Sequence, residues 1–160
     1  MPAQPAVPLS AGRPGAPRSL AIRLPLGFAA GFLSVLTFQS GVLAILAAAG
    51  VPVPVVPWSL APVPPLGVPE SLSAAFWGGL WGIVYALLEP RLTRTLGWAA
   101  GGLAFGALPL LVLWVLVFPL KGMAVGGGFT LPGVLLGVTL HAAFGLGAAV
   151  LFRLGRRLAR

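Results

Sequence analysis

Four long apolar runs, at residues 24–50, 71–88, 96–120 and 131–152, alternate with short polar or proline-rich segments. Their lengths of 27, 18, 25 and 22 residues bracket the roughly 20 residues that a helix needs to cross the hydrocarbon core of a bilayer. The pattern predicts an all-α, polytopic membrane protein whose four transmembrane helices form two tandem helical hairpins over residues 24–153. The segment 1–23 is rich in Pro and Ala without apolar periodicity and is expected to be a disordered tail. Residues 154–160 form a short basic tail. The apolar run ahead of Ala47-Ala48-Ala49 is about twice as long as the hydrophobic region of a signal peptide, so the first helix is expected to remain uncleaved.

The same hydrophobic frame carries an internal echo. Leu26-Gly27-Phe28-Ala29-Ala30-Gly31 opens the first helix and Leu96-Gly97-Trp98-Ala99-Ala100-Gly101 opens the third, at an offset of 70. Leu72-Ser73-Ala74-Ala75-Phe76 and Leu140-His141-Ala142-Ala143-Phe144 relate the second and fourth at an offset of 68. Both copies run in one direction, which predicts a parallel repeat about an axis along the membrane normal. Lipid supplies no hydrophobic drive between helices, so close approach relies on small residues every fourth position. Ala74, Gly78, Gly82 and Ala86 form such a stripe on the second helix. On the fourth, Gly133, Gly137, His141, Gly145 and Ala149 lie on one line.

Charge sets the expected orientation. Arg13, Arg18 and Arg23 precede the first run, Arg91 and Arg94 separate the second from the third, and Arg153, Arg156, Arg157 and Arg160 follow the fourth. Lys121 stands alone on the other side. Nine basic residues against one satisfy the positive-inside rule, and four spans return the chain to its starting side, so both termini are expected to be cytoplasmic. Only 8% of residues are charged and 58% are hydrophobic, against about 25% charged in a soluble domain. In 160 residues the spans leave no length for a separate soluble catalytic module. The net charge of +8 lies beside apolar runs and is not interleaved with exposed aromatics, which points to anionic lipid headgroups and not to nucleic acid. The absence of cysteine removes disulfides, thiolate metal sites and cysteine nucleophiles.

Candidate chemistry is sparse. The single histidine, His141, falls mid-span on the glycine line, and an ionisable residue at that depth marks a functional site by default. Its partners are sought among Ser34, Thr37, Gln39 and Ser40 of the first helix and Ser73 and Tyr85 of the second. The plainest role is a neutral imidazole bonded to Thr37 or Gln39 as interhelical glue. Two sharper roles are a proton or solute pathway and axial ligation of a porphyrin-type pigment, since neutral imidazole is a common metal ligand. Glu70 follows Pro69 where a helix start favours both residue types. Glu89 precedes Pro90 and is expected to pair with Arg91 and Arg94 at the membrane edge. No acid–base pair, nucleophile triad or metal cluster assembles from this inventory, so no catalytic residue, metal or cofactor is expected and the chain is read as a non-enzyme.

The stretch Pro64-Pro65-Leu66-Gly67-Val68-Pro69, with Ala75-Phe76-Trp77-Gly78-Gly79-Leu80-Trp81-Gly82 after it, resembles a group of small uncharacterised four-helix bacterial inner-membrane proteins. The resemblance implies a bacterial cytoplasmic membrane location and no activity. Members of that group often carry a histidine after the phenylalanine of the first helix, whereas this chain reads Phe38-Gln39-Ser40, which argues against a two-histidine site. The expected function is that of a structural or accessory subunit of a membrane assembly, as a homo-oligomer or within a larger complex. The alternatives are an oligomeric small-solute or proton transporter or channel, and pigment binding through His141.

Overall fold

The computed structural model describes residues 20–158. Most of the tail expected to be disordered, with Arg13 and Arg18, lies outside the described residues, as does Arg160. Four helices are long and apolar enough to cross a membrane: α1 (Leu20–Ala48), α2 (Glu70–Leu96), α3 (Trp98–Leu120) and α4 (Leu131–Leu158). The protein is an all-α, multi-pass membrane protein. Three helices outrun their apolar segments, since residues 20–23 already belong to α1, α2 passes the expected end at 88, and α4 passes 152, while α3 begins two residues late, at Trp98. Hydropathy marks where a helix meets lipid, but the backbone ladder stops only where bonding or φ/ψ forces it to. For α2 that point is Gly97, with φ +80, a region that favours glycine. Trp98 then opens α3.

The helices form a ring in which α1 and α3 each touch α2 and α4, while α1 and α3 sit on the diagonal without contact. Within each hairpin, glycine brings backbone against backbone. A Cβ placed on Gly82 would lie 2.8 Å from the Gly31 amide nitrogen and 2.9 Å from its Cα, with the Gly27 carbonyl nearer still. Gly78 meets Val35 and the Gly31 carbonyl. In the second hairpin a Cβ on Gly145 would meet the Gly106 amide nitrogen at 2.8 Å and the Gly102 carbonyl. Gly78, Gly82 and Gly145 thus each lie against main chain of the neighbouring helix. Gly137 packs on Trp114 and Leu110. Gly133 does not pack, being exposed with Thr130 alone beside it, because the line extends past the end of the helix–helix crossing.

The motif register expected between the hairpins is not the one that the packing uses. Gly97 lies outside the helices and Gly101 faces Leu92 of α2. The residues of α3 that do what Gly27 and Gly31 do in α1 are Gly102 and Gly106, which meet Gly145 and the His141 main chain. Inside the ring, Tyr85 stands edge-on to Phe105 at 5.1 Å and to Phe152 at 5.7 Å, tying α2 to α3 and α4. Ala30, Ala75, Ala86 and Ala149 fill the core around these rings.

Two helices contain a π-helical turn, Val35–Gln39 in α1 and Leu113–Val117 in α3. Between α1 and α2 the proline-rich segment folds back as a two-residue antiparallel pairing of Pro62–Val63 with Val68–Pro69. It is pinned to the start of α2, where the Ser59 carbonyl accepts from the Ser71 amide at 3.1 Å and from the Ser71 hydroxyl at 2.8 Å.

Candidate functional site

The mid-membrane polar residues do not converge. Of the expected set, Ser34 alone hydrogen-bonds to another helix among the described residues. It is fully buried, and its hydroxyl donates to the Phe144 carbonyl of α4 at 2.7 Å. Thr37 is exposed and donates to the Leu33 carbonyl of its own helix at 2.7 Å. Gln39 is half-buried and does not bond His141. The His141 Nδ1 lies 2.9 Å from the Gly137 carbonyl one turn earlier, to which it donates. The expected bond from His141 to Thr37 or Gln39 is therefore corrected. Its Nδ1 is bonded within α4, and the His141 main chain is what Gly106 of α3 packs on.

The cluster of polar groups in α1 has a backbone cause. A π-helical turn displaces carbonyls from the regular ladder, and side chains here take them up. Thr37 caps Leu33, the Ser40 hydroxyl donates to the Val35 carbonyl at 2.8 Å, and the Trp58 indole donates to the Leu36 carbonyl at 2.8 Å. Trp58 reaches that bond from a left-handed backbone conformation, φ +52, which is unfavourable for a bulky residue and is held by the docked loop. Of the residues expected to line a solute pathway, Ser34, Thr37 and Ser40 are thus engaged with main chain, while the Gln39 side chain makes no hydrogen bond among the described residues.

A second polar cluster lies at the arginine-rich end, and local spacing gave no sign of it. The Glu89 carboxylate accepts from Arg23 of α1 at 3.3 Å and from Arg156 of α4 at 2.8 Å, so one acid joins three helices. The expected pairing with Arg91 and Arg94 is corrected. Those arginines are exposed and sit two and five residues along the same helix, away from the face that Glu89 occupies. Pro90 explains the choice of Arg23. Proline has no N–H to give to the carbonyl four residues earlier, which is that of Ala86. The Arg23 guanidinium donates to this freed Ala86 carbonyl as well as to Glu89. Arg23 Nε is buried without a partner among the described residues. Thr93 adds a long contact to Glu89 at 3.4 Å.

Beside the clasp, α2, α3 and α4 border a half-open cavity of about 300 Å³ walled by Tyr85, Glu89, Trp98, Arg153, Arg156 and Arg157. Arg153 stands 5.2 Å over the Trp98 ring, a cation–π distance. Tyr85 was sought as a partner of His141, but its hydroxyl opens to this cavity instead. The only sequence signal for the cluster is that the few charged residues gather at matching helix ends. Which of them meet depends on helix rotation. No cluster of three or more His, Cys, Asp or Glu able to hold a metal occurs among the described residues. No known protein family, curated protein or solved structure matches this chain.

Proposed function

We propose that this protein is a structural or accessory subunit of a membrane assembly in the bacterial cytoplasmic membrane, with both termini cytoplasmic, and that it is not an enzyme. The observation that carries the reading is the engagement of the mid-membrane polar groups. Ser34, Thr37, Ser40 and His141 each bond a backbone carbonyl, the loop residue Trp58 bonds another, Gln39 bonds none among the described residues, and the hairpins close glycine on backbone. A solute or proton pathway requires polar groups that face a hydrated space, and these face the chain itself. The nine-to-one bias of basic residues supports the orientation. We read the hairpins as two copies of one packing unit, since Gly27 and Gly31 upon Gly82 recur as Gly102 and Gly106 upon Gly145.

The test is purification in mild detergent followed by reconstitution into liposomes. The protein is expected to be colourless, to co-elute with itself or a larger assembly, and to leave an imposed pH gradient intact. His141→Gln is expected to keep the fold and the assembly, because a glutamine amide can also donate to a carbonyl. Dissipation of the gradient by the wild type and its loss in His141→Gln would overturn the reading in favour of a pathway. A visible absorption band lost in the same variant would overturn it in favour of pigment ligation.

A further inference from the structure

The cavity at the arginine-rich end has more positive charge than the clasp uses. Glu89 is shared by Arg23 and Arg156, while Arg153 and Arg157 reach no carboxylate among the described residues. One carboxylate among four guanidinium groups, of which Arg153 and Arg157 are exposed, beside the apolar faces of Tyr85, Trp98 and Phe152, gives this half-open hollow a positive potential.

A second feature points into the same space. Tyr85 is only 2% exposed, yet its hydroxyl makes no hydrogen bond among the described residues and borders the cavity. A phenol hydroxyl ordinarily finds a partner, and an acceptor held in the cavity that Tyr85 lines would supply one. Guanidinium groups and a hydroxyl donor suit an oxyanion, above all a phosphate, which arginine binds in a bidentate fork.

The surroundings decide what carries the phosphate. Trp98, Arg153 and Arg157 also border a second hollow of about 320 Å³, which Tyr85 does not line and whose other walls are Val150 and Leu154. Leu154 is exposed on the outer face of α4, where the bilayer lies. The two hollows share Trp98, Arg153 and Arg157, and the second adds the apolar Val150 and Leu154. The first chamber is at the lower limit of small-molecule sites, which fits a headgroup and excludes a whole lipid.

We propose that this pair of hollows binds one anionic phospholipid, with its phosphate on Arg153, Arg157 and the Tyr85 hydroxyl and an acyl chain along Val150 and Leu154. Basic pockets between membrane helices recognise such headgroups. The site rests on the membrane placement alone and holds whether the protein is an accessory subunit or a transporter.

The experiment is native mass spectrometry of the purified full chain titrated separately with dioleoylphosphatidylglycerol, dioleoylphosphatidylcholine and inorganic phosphate. One phosphatidylglycerol is expected to be retained per protein, at least about tenfold more tightly than either of the others. Arg157→Gln is expected to weaken it about tenfold through loss of a charge-assisted bond, and Tyr85→Phe about threefold. Arg94→Gln removes the same charge from an exposed site outside the cavity and is expected to change nothing. Equal loss in Arg94→Gln and Arg157→Gln would reduce the effect to diffuse attraction and overturn the site. Equal retention of phosphatidylcholine would overturn the headgroup assignment, and inorganic phosphate binding as tightly as the lipid would overturn the acyl track. Melting temperatures of the lipid-free variants check that each remains folded.

Discussion

Gly82→Ala is the sharpest test of the hairpin packing. The added methyl would point at the Gly27 carbonyl and lie within 2.9 Å of the Gly31 backbone. Each of these neighbours is main chain of a continuous helix, so no side chain can turn aside. Carbon–oxygen contacts relax only near 3.3–3.6 Å, which requires α1 and α2 to part by about 1 Å. A gap of that order forfeits a quarter to a half of the dispersion energy of the facing atoms. Overpacking of this kind costs about 1–3 kcal/mol, against a helix-propensity gain of at most ~1 kcal/mol for replacing glycine. Gly41→Ala is the internal control. Nothing lies within 4 Å of its Cβ position, so propensity alone should act and stability should stay level or rise by up to ~1 kcal/mol. Gly79→Ala should fall between the two, since its methyl would press on the Phe28 ring at 2.5–2.8 Å, which can rotate. Unfolding by dodecyl sulfate titration in mixed micelles, followed by circular dichroism, reads all three. A Gly82→Ala protein within about 0.5 kcal/mol of wild type, the usual size of a surface effect, would refute the backbone-contact reasoning. So would a Gly41→Ala loss as large as that at Gly82.

Glu89→Gln should lower the melting temperature in detergent by the equivalent of about 1 kcal/mol, because its arginine partners are 22% and 36% exposed and solvent screens much of the pairing. An unchanged melting temperature would mean that the three-helix clasp does not stabilise the bundle. Ser34→Ala should cost about 0.6–1.7 kcal/mol, the range for interhelical hydrogen bonds in membranes, whereas Thr37→Ala, on an exposed intrahelical bond, should be near neutral. Equal losses would place the α1–α4 contact elsewhere. Trp58→Phe keeps the ring but removes the donor to Leu36. Limited proteolysis within residues 51–69 should then accelerate several-fold while the helices stay intact, and an unchanged cleavage rate would show that the loop is held by its pairing to α2 alone.

Hydropathy and spacing were enough for the helix number and for most of the packing glycines, because both follow from one local requirement. In lipid a chain must satisfy its backbone within the helix and approach its neighbours through small residues, and a 3.6-residue period lays these out in linear order. Gly78, Gly82 and Gly145 are legible for that reason. Long-range partnership is different. Glu89 meets Arg23 and Arg156 across 66 and 67 residues, and a carbonyl freed by Pro90 helps to select Arg23, which depends on how three helices are rotated about their axes. The same rotation turns Tyr85 toward the arginine-rich cavity and away from His141. The π-helical turn in α1 redirects Thr37 and Ser40 to their own backbone, and a loop tryptophan completes it, so residues of matching depth never share a site. Depth and polarity are properties of single positions along the chain and can be read there. Facing is a property of pairs of helices, and only their packing determines it.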